Sequence, residues 1–320
     1  MDKSYLVLGA TGGIGYAFTN ELIANGIRTS VFVRNEEKAK ALFGNNPLIE
    51  IIVGDVTNRE ELKKAASNKN FIFCGINTPY QMWETQMERI ISNVIASAGQ
   101  NRSTILFPEN NYAFGNIGTP ITENMVPQPG TKKGKIRLNL VNRLQAAADK
   151  KECKVVIIRL PDFFGPNVTN GLIKPIFNEA VNNKPVKWMI NADIPHQFAY
   201  TPDVARYFYL LSQEDTLQEF FLINYGGITV DSMKTFSKKI SEIQGNPDHV
   251  KTAPKLMLNI LGLFIPELKE LKENFYQFEN SIILDDSKLK KMYPKVRNTS
   301  LEDALENSLQ WSKNNSHSYL

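Results

Sequence analysis

The segment YLVLGATGGIGYAF, residues 5–18, limits the fold more than any other stretch of this chain. An apolar run, Tyr5–Leu8, leads into glycines at 9, 12 and 15, and a helical pattern over residues 14–25 follows, closed by Gly26. Each glycine has a physical task. A tight strand-to-helix turn needs a positive φ or no Cβ, and close packing of helix on strand excludes a side chain. A pyrophosphate resting on the amino end of the helix needs bare backbone within reach. A glycine spacing alone is weak, but here the strand and helix flank it as a dinucleotide site requires. The candidate contacts are Gly9, Thr11, Gly12, Gly13, Ile14 and Gly15. The competing reading is a turn that serves packing alone.

Beyond this turn, strands and helices alternate. Apolar runs at Thr29–Val33, Ile49–Val53, Phe71–Cys74, 104–107 and 154–160 are separated by helical patterns at 35–43, 58–67, 82–99 and 135–150. Strands this short and this apolar predict a parallel sheet buried on both faces, with right-handed crossovers. After residue 160 the rhythm loosens, and Pro161, Pro166, Pro175, Pro185 and Pro195 punctuate the chain. Helices are predicted at 172–182, at 202–212 with Thr201 as cap, at 231–244 and at 300–313 with Ser300 as cap; Phe220–Asn224 reads as a late strand and 314–320 as a frayed end. The expected architecture is α/β: a doubly wound parallel sheet of the Rossmann type over residues 1–166, to which 197–225 returns, with a smaller substrate-covering domain over 167–320.

A net charge of +4 over 320 residues is too small and dispersed to suggest nucleic acid. Cys74 and Cys153 lie in or beside apolar runs and read as buried, reduced thiols. His196, His249 and His317 have no metal spacing. The apolar run 256–265 is too short to span a bilayer and reads as core or a dimer face; no membrane partner and a cytoplasmic location are expected.

Two positions bear on which dinucleotide is bound. The adenosine ribose is read about 20 residues beyond the glycines, at the end of the second strand. Arg34 stands there in VFVRN, without an acidic neighbour beside it. A guanidinium favours a 2′-phosphate, so NADP is expected ahead of NAD, unless Arg34 is a surface residue engaged by Glu36 and Glu37. The third strand ends in Gly54-Asp55-Val56, where Asp55 either reaches the adenine or caps the next helix. Asn77, after the fourth strand, either approaches the nicotinamide ribose or makes only a turn before Pro79. Tyr80 and Trp83 are pocket floor or core.

With these residues in hand, the chain resembles the extended and atypical short-chain dehydrogenases/reductases, the nucleotide-sugar epimerase/dehydratase group. GATGGIG, VGDVTN, TPDVAR (201–206) and IRLPDFFGP (158–166) are similar to that group's motifs, closely over 1–166 and 199–224 and loosely beyond 225. The resemblance implies hydride exchange assisted by Tyr-x-x-x-Lys and an upstream Ser or Thr. No Tyr in the chain is followed four residues later by Lys. Counting from Glu123 through Pro129 puts Lys133 at the Tyr position and Arg137 at the Lys position. Glu109 and Asn110 replace the serines, and Phe114 a tyrosine, in ENNYAFG. Three readings stay open. Lys133 is the proton donor, its neutral form favoured by Arg137 one turn away and by burial. Alternatively, Lys133 and Arg137 bind an anionic group while Glu109 or Tyr112 moves the proton. Or there is no chemistry, and the protein senses NADP as NmrA-like regulators do. Without an arginine cluster for a nucleoside diphosphate, a small, partly apolar carbonyl or hydroxyl compound is the expected substrate. The protein would be a monomer, or a homodimer through helices 82–99 and 135–150.

Overall fold

The computed structural model describes residues 3–118, 120–169, 172–245 and 250–315. Its central sheet has seven strands: β1 (Tyr5–Leu8), β2 (Thr29–Val33), β3 (Ile49–Val53), β4 (Phe71–Cys74), β5 (Thr104–Glu109), β6 (Lys154–Arg159) and β10 (Phe220–Asn224). Their order is β10-β6-β5-β4-β1-β2-β3, and the pairs from β1 through β6 are parallel. Every residue of β1, β2 and β4 is buried, as a sheet covered on both faces demands. Phe18, Phe73 and Phe208 pack ring on ring over it. The order in which strands are added reverses at β1, which has β2 on one side and β4 on the other. An open α/β sheet binds ligands at the carboxyl ends of the strands flanking such a switch.

The helices relevant to the site are α1 (Gly13–Ala24), α2 (Glu36–Phe43), α3 (Arg59–Ala65), α4 (Trp83–Gly99) and α5 (Lys132–Asp149). Asn35 caps α2 through Lys38 N, and Asn58 caps α3 through Glu60 N and Glu61 N. The predicted helix 135–150 begins a turn earlier, at Lys132, because Thr131 Oγ1 accepts from Gly134 N at 3.0 Å and a distant carboxylate meets the first amides.

The chain divides into two compact units. The first is Met1–Glu109, Ile136–Arg159 and Val204–Ile223; the second is Asn110–Lys135, Leu160–Asp203 and Asn224–Leu320. The segments that follow β5 and β6 thus belong with the C-terminal part, which takes in as much chain as the first unit. In the second unit, β7 (Asp162–Phe164), β9 (His196–Tyr200) and β11 (Ile228–Val230) form a three-stranded sheet, and β8 (Val186–Met189) pairs with β12 (Val250–Ala253). Phe164, Phe177, Trp188, Phe198, Phe236 and Phe278 fill its core.

One local expectation is overturned. Thr201 does not cap the helix Thr201–Gln213: its hydroxyl is buried with no hydrogen-bond partner, and the helix already includes it. Of the run 256–265, Leu258 packs into the core of the second unit, while Leu256, Leu263 and Phe264 are all more than 70% exposed. His249, His317 and most of the predicted frayed end lie outside the described residues.

Candidate functional site

The glycine turn sits at the switch point. Gly9 adopts φ +80°, and a Cβ on it would lie 2.8 Å from the carbonyl carbon of Gly75, just past β4. A Cβ on Gly15 would overlap the carbonyl oxygen of Gly9. These two positions hold strand and helix closer than any side chain permits. Gly12 is the N-cap of α1; it offers no side chain to the helix, and the first turn holds no acid. The first-turn amides have no acceptor within the helix, so their partial positive charge faces whatever lies beyond the turn. Phosphate oxygens fit that need, whereas a structural turn would ordinarily bring its own Ser, Thr, Asn or Asp.

The residues expected to meet the adenosine lie at the ends of β2 and β3. Arg34 is exposed at the end of β2. Glu36 and Glu37 turn to Lys40, at 2.9 and 3.5 Å, rather than to Arg34. Asp55 does not cap α3, since Asn58 does. Its Oδ1 accepts from the Thr57 amide and hydroxyl, both at 2.8 Å. The Thr57 amide, helped by its hydroxyl and by the Arg34 charge, holds the Asp55 carboxyl below its ordinary value. Val56 is buried, and Asn93 Nδ2 of α4 donates to its carbonyl at 3.0 Å, which fixes the loop after β3. Asn77 is exposed in the loop after β4, where Trp83 Nε1 donates to the Thr78 carbonyl at 2.9 Å. Trp83 itself is core, 2% exposed.

At the end of β5, Glu109 and Arg137 form a buried bidentate pair. Nε and Nη2 of Arg137 donate to the two carboxylate oxygens, each at 2.7 Å. The guanidinium lies over the rings of Phe107 and Trp83, at 5.1 and 5.5 Å. Such a pair is geometrically specific, and both charges are compensated.

In the second unit, Lys133 Nζ donates to Glu270 Oε2 and Glu273 Oε1, both at 2.7 Å. Glu273 also accepts from the amides of Lys132 (2.6 Å) and Lys133 (3.3 Å), so a residue 140 positions away caps α5. Gln277 Nε2 donates to Asn111 Oδ1 at 3.2 Å. Tyr112 follows in a single turn of 3-10 helix, Tyr112–Phe114, and a Cβ on Gly134 would lie 2.5 Å from the Tyr112 carbonyl oxygen. The cluster in the second unit therefore holds Asn111, Tyr112, Lys133, Glu270 and Glu273. Nothing in the sequence marked the two glutamates, which lie in a charged stretch that looks like a solvated helix face.

Cys74 and Cys153 are buried, and burial pushes their thiols up to about 11 and about 12. Among the described residues no cluster of His, Cys, Asp and Glu could hold a metal, and no helix is long and apolar enough to cross a membrane. A recess lined by Lys3, Phe71, Thr104, Lys154, Leu211 and Leu217 lies at the amino edge of the sheet and contains none of the candidate residues.

Residues 9–105 match the NAD(P)H-binding family. No curated protein matches the sequence. Among solved structures, the chain is similar to UDP-glucuronic acid 4-epimerase from Bacillus cereus in complex with NAD, with 16% identity, a TM-score of 0.79, and 97% of this chain and 99% of that one covered. UDP-glucose 4-epimerase from Thermotoga maritima with UDP-glucose has 16% identity and a TM-score of 0.78 over 98% of this chain and 99% of that one. dTDP-glucose 4,6-dehydratase from Bacillus anthracis in complex with NAD has 13% identity and a TM-score of 0.79, with 98% of each chain covered. Residues 9–105 therefore form an NAD(P)H-binding Rossmann segment, and the chain as a whole has the fold seen in these solved epimerases and dehydratases.

Proposed function

We propose that this chain is an NADP-dependent, epimerase/dehydratase-like oxidoreductase that acts on a small carbonyl or hydroxyl compound, with Tyr112 as its proton-bearing group. One observation carries the assignment of the proton. Both cations at the positions of the missing Tyr and Lys are already met by carboxylates 2.7 Å away, Lys133 by Glu270 and Glu273, and Arg137 by Glu109. The Lys133 ammonium is thus already committed to two ion pairs. A guanidinium does not release its proton in proteins. Arg137 likewise occupies both carboxylate oxygens of Glu109. Of the four candidates, Tyr112 alone offers a phenol, the group that the related enzymes use, and its backbone packs against α5 one residue beyond Lys133.

The chain's own residues divide the remaining work. The amides of Gly13, Ile14 and Gly15 would receive the pyrophosphate, and Arg34 a 2′-phosphate. Asp55, held as an anion, would accept from the adenine amine, and Asn77 would reach the nicotinamide ribose. Bound NADP supplies a hydride donor or acceptor at C4 of the nicotinamide. Tyr112 would give a proton to the substrate oxygen as the carbonyl is reduced, or take it in the reverse direction. The UDP-sugar epimerases of the same fold act on large anionic substrates. This chain shows no arginine cluster for a diphosphate, and a smaller, partly apolar substrate suits it better. Two buried, unreactive thiols agree with a cytoplasmic protein.

Two measurements test this reading. Tyr112→Phe should lower NADPH turnover with a panel of small carbonyl compounds about 10²-fold or more and leave NADPH affinity intact. Lys133→Met should instead destabilise the protein by roughly 1–3 kcal/mol, through carboxylates left without their cation, as read by denaturant unfolding. Turnover that survives Tyr112→Phe but vanishes in a stable Lys133→Met protein would return the proton to Lys133. Binding of NADPH with no turnover of any compound would refute the enzyme reading. Arg34→Glu tests the cofactor. It should weaken NADPH at least about 100-fold, since an attractive contact becomes repulsive, and change NADH by less than about threefold. Equal losses for both would remove the 2′-phosphate role.

A further inference from the structure

The segment that supplies Glu270 and Glu273 begins with an apolar face that the second unit leaves uncovered. Leu256, Met257, Ile260, Leu263, Phe264 and Ile265 are exposed along the helix Lys255–Leu261 and the turn after it, and Leu263 and Phe264 reach 74% and 79%. Contiguous apolar surface of this kind marks an interaction site. Charge indicates what meets it. Lys251 and Lys269 flank the face and are exposed, while Lys255 is paired with Glu279. The chain of Lys272 lies on Gly262, where a Cβ would come within 2.8 Å of its Cε, so its ammonium stands beside the apolar tip. Glu270 and Glu273 are engaged by Lys133. The outward face is therefore apolar at its tip and basic around it.

We propose that residues 251–272 form a peripheral docking surface for an anionic phospholipid bilayer. Leu263 and Phe264 enter the interface, and the flanking lysines meet lipid headgroups. The surface goes beyond the proposed reaction. A protruding tip suits lipid, which accommodates apolar side chains without a shaped groove, and added positive charge strengthens such binding at an anionic surface. The segment is too short to span a bilayer, so attachment is to one leaflet.

Co-sedimentation of the full chain with vesicles tests this, using phosphatidylcholine alone or with about one third phosphatidylserine. Binding to the mixed vesicles should exceed binding to phosphatidylcholine roughly tenfold at low salt and fall as salt rises. The double substitution Leu263→Asp and Phe264→Asp should abolish it with NADPH affinity unchanged. Lys251→Glu with Lys269→Glu should weaken it while leaving the apolar tip intact. The proposal is overturned if the wild-type chain stays in the supernatant, or if either double variant binds as well as wild type. It is also overturned if light scattering finds a wild-type dimer that Leu263→Asp and Phe264→Asp converts to a monomer, in which case a second copy covers this face.

Discussion

Valine at position 15 is expected to abolish NADPH binding and to lower thermal stability as well. The Cβ of any residue there would overlap the Gly9 carbonyl oxygen and approach its carbonyl carbon to 2.7 Å, so α1 has to move away from β1. Gly9 cannot yield, because it is itself at φ +80° and pressed against Gly75. Once the helix shifts, the first-turn amides no longer converge. Losing two charge-assisted hydrogen bonds to a pyrophosphate costs about 3 kcal/mol or more, which is at least about 100-fold in affinity. Gly12→Ala separates packing from ligand binding. A Cβ there meets only the Gly9 carbonyl oxygen, at 3.4 Å, so the fold should hold while the methyl group crowds the phosphate. Calorimetric titration with NADPH and a melting curve on both variants decide the matter. Wild-type affinity in both would mean that the glycines serve the turn alone.

The second large effect concerns the pair at the end of β5. Arg137→Met leaves the Glu109 carboxylate, 3% exposed, without its counter-charge and beside the Phe107 and Trp83 rings. Breaking a buried pair from one side costs about 3–5 kcal/mol, which should lower the melting temperature by roughly ten degrees. Glu109→Gln removes the charge but keeps the shape, and should cost less. The combination Glu109→Leu with Arg137→Met should recover most of the loss, because two apolar side chains replace two desolvated ions. This pattern identifies a structural pair. If Glu109→Gln instead leaves the melting temperature unchanged while NADPH turnover disappears, Glu109 is the group that moves the proton.

The Rossmann half of the chain was legible because its information is local. The glycine spacing names its own neighbours, since strand, turn and helix lie within fourteen consecutive residues. The apolar runs of β1, β2 and β4 reveal burial on both faces without any knowledge of what covers them. Ser300 announced a helix start through a bond that spans three residues. Thr201 has the same composition signal but gives no cap, because its hydroxyl faces the Gly165 backbone inside a packed corner.

What the sequence by itself determined is thus the cofactor half: a parallel sheet, its switch point, and a helix end shaped for phosphate. The chemical half was decided only in three dimensions. Sequence could place Lys133 and Arg137 in the seats of a missing Tyr and Lys, and there it left each a charged residue open to several roles. The fold closes most of those roles by setting Glu109 against Arg137 and bringing Glu270 and Glu273 to Lys133 across 137 and 140 residues. Pairing those glutamates with Lys133 leaves Lys251 and Lys269 exposed in the segment that carries Phe264. A residue's acidity, and whether its charge is available, depend on what stands within a few ångströms, and for these side chains that neighbourhood is assembled from distant parts of the chain.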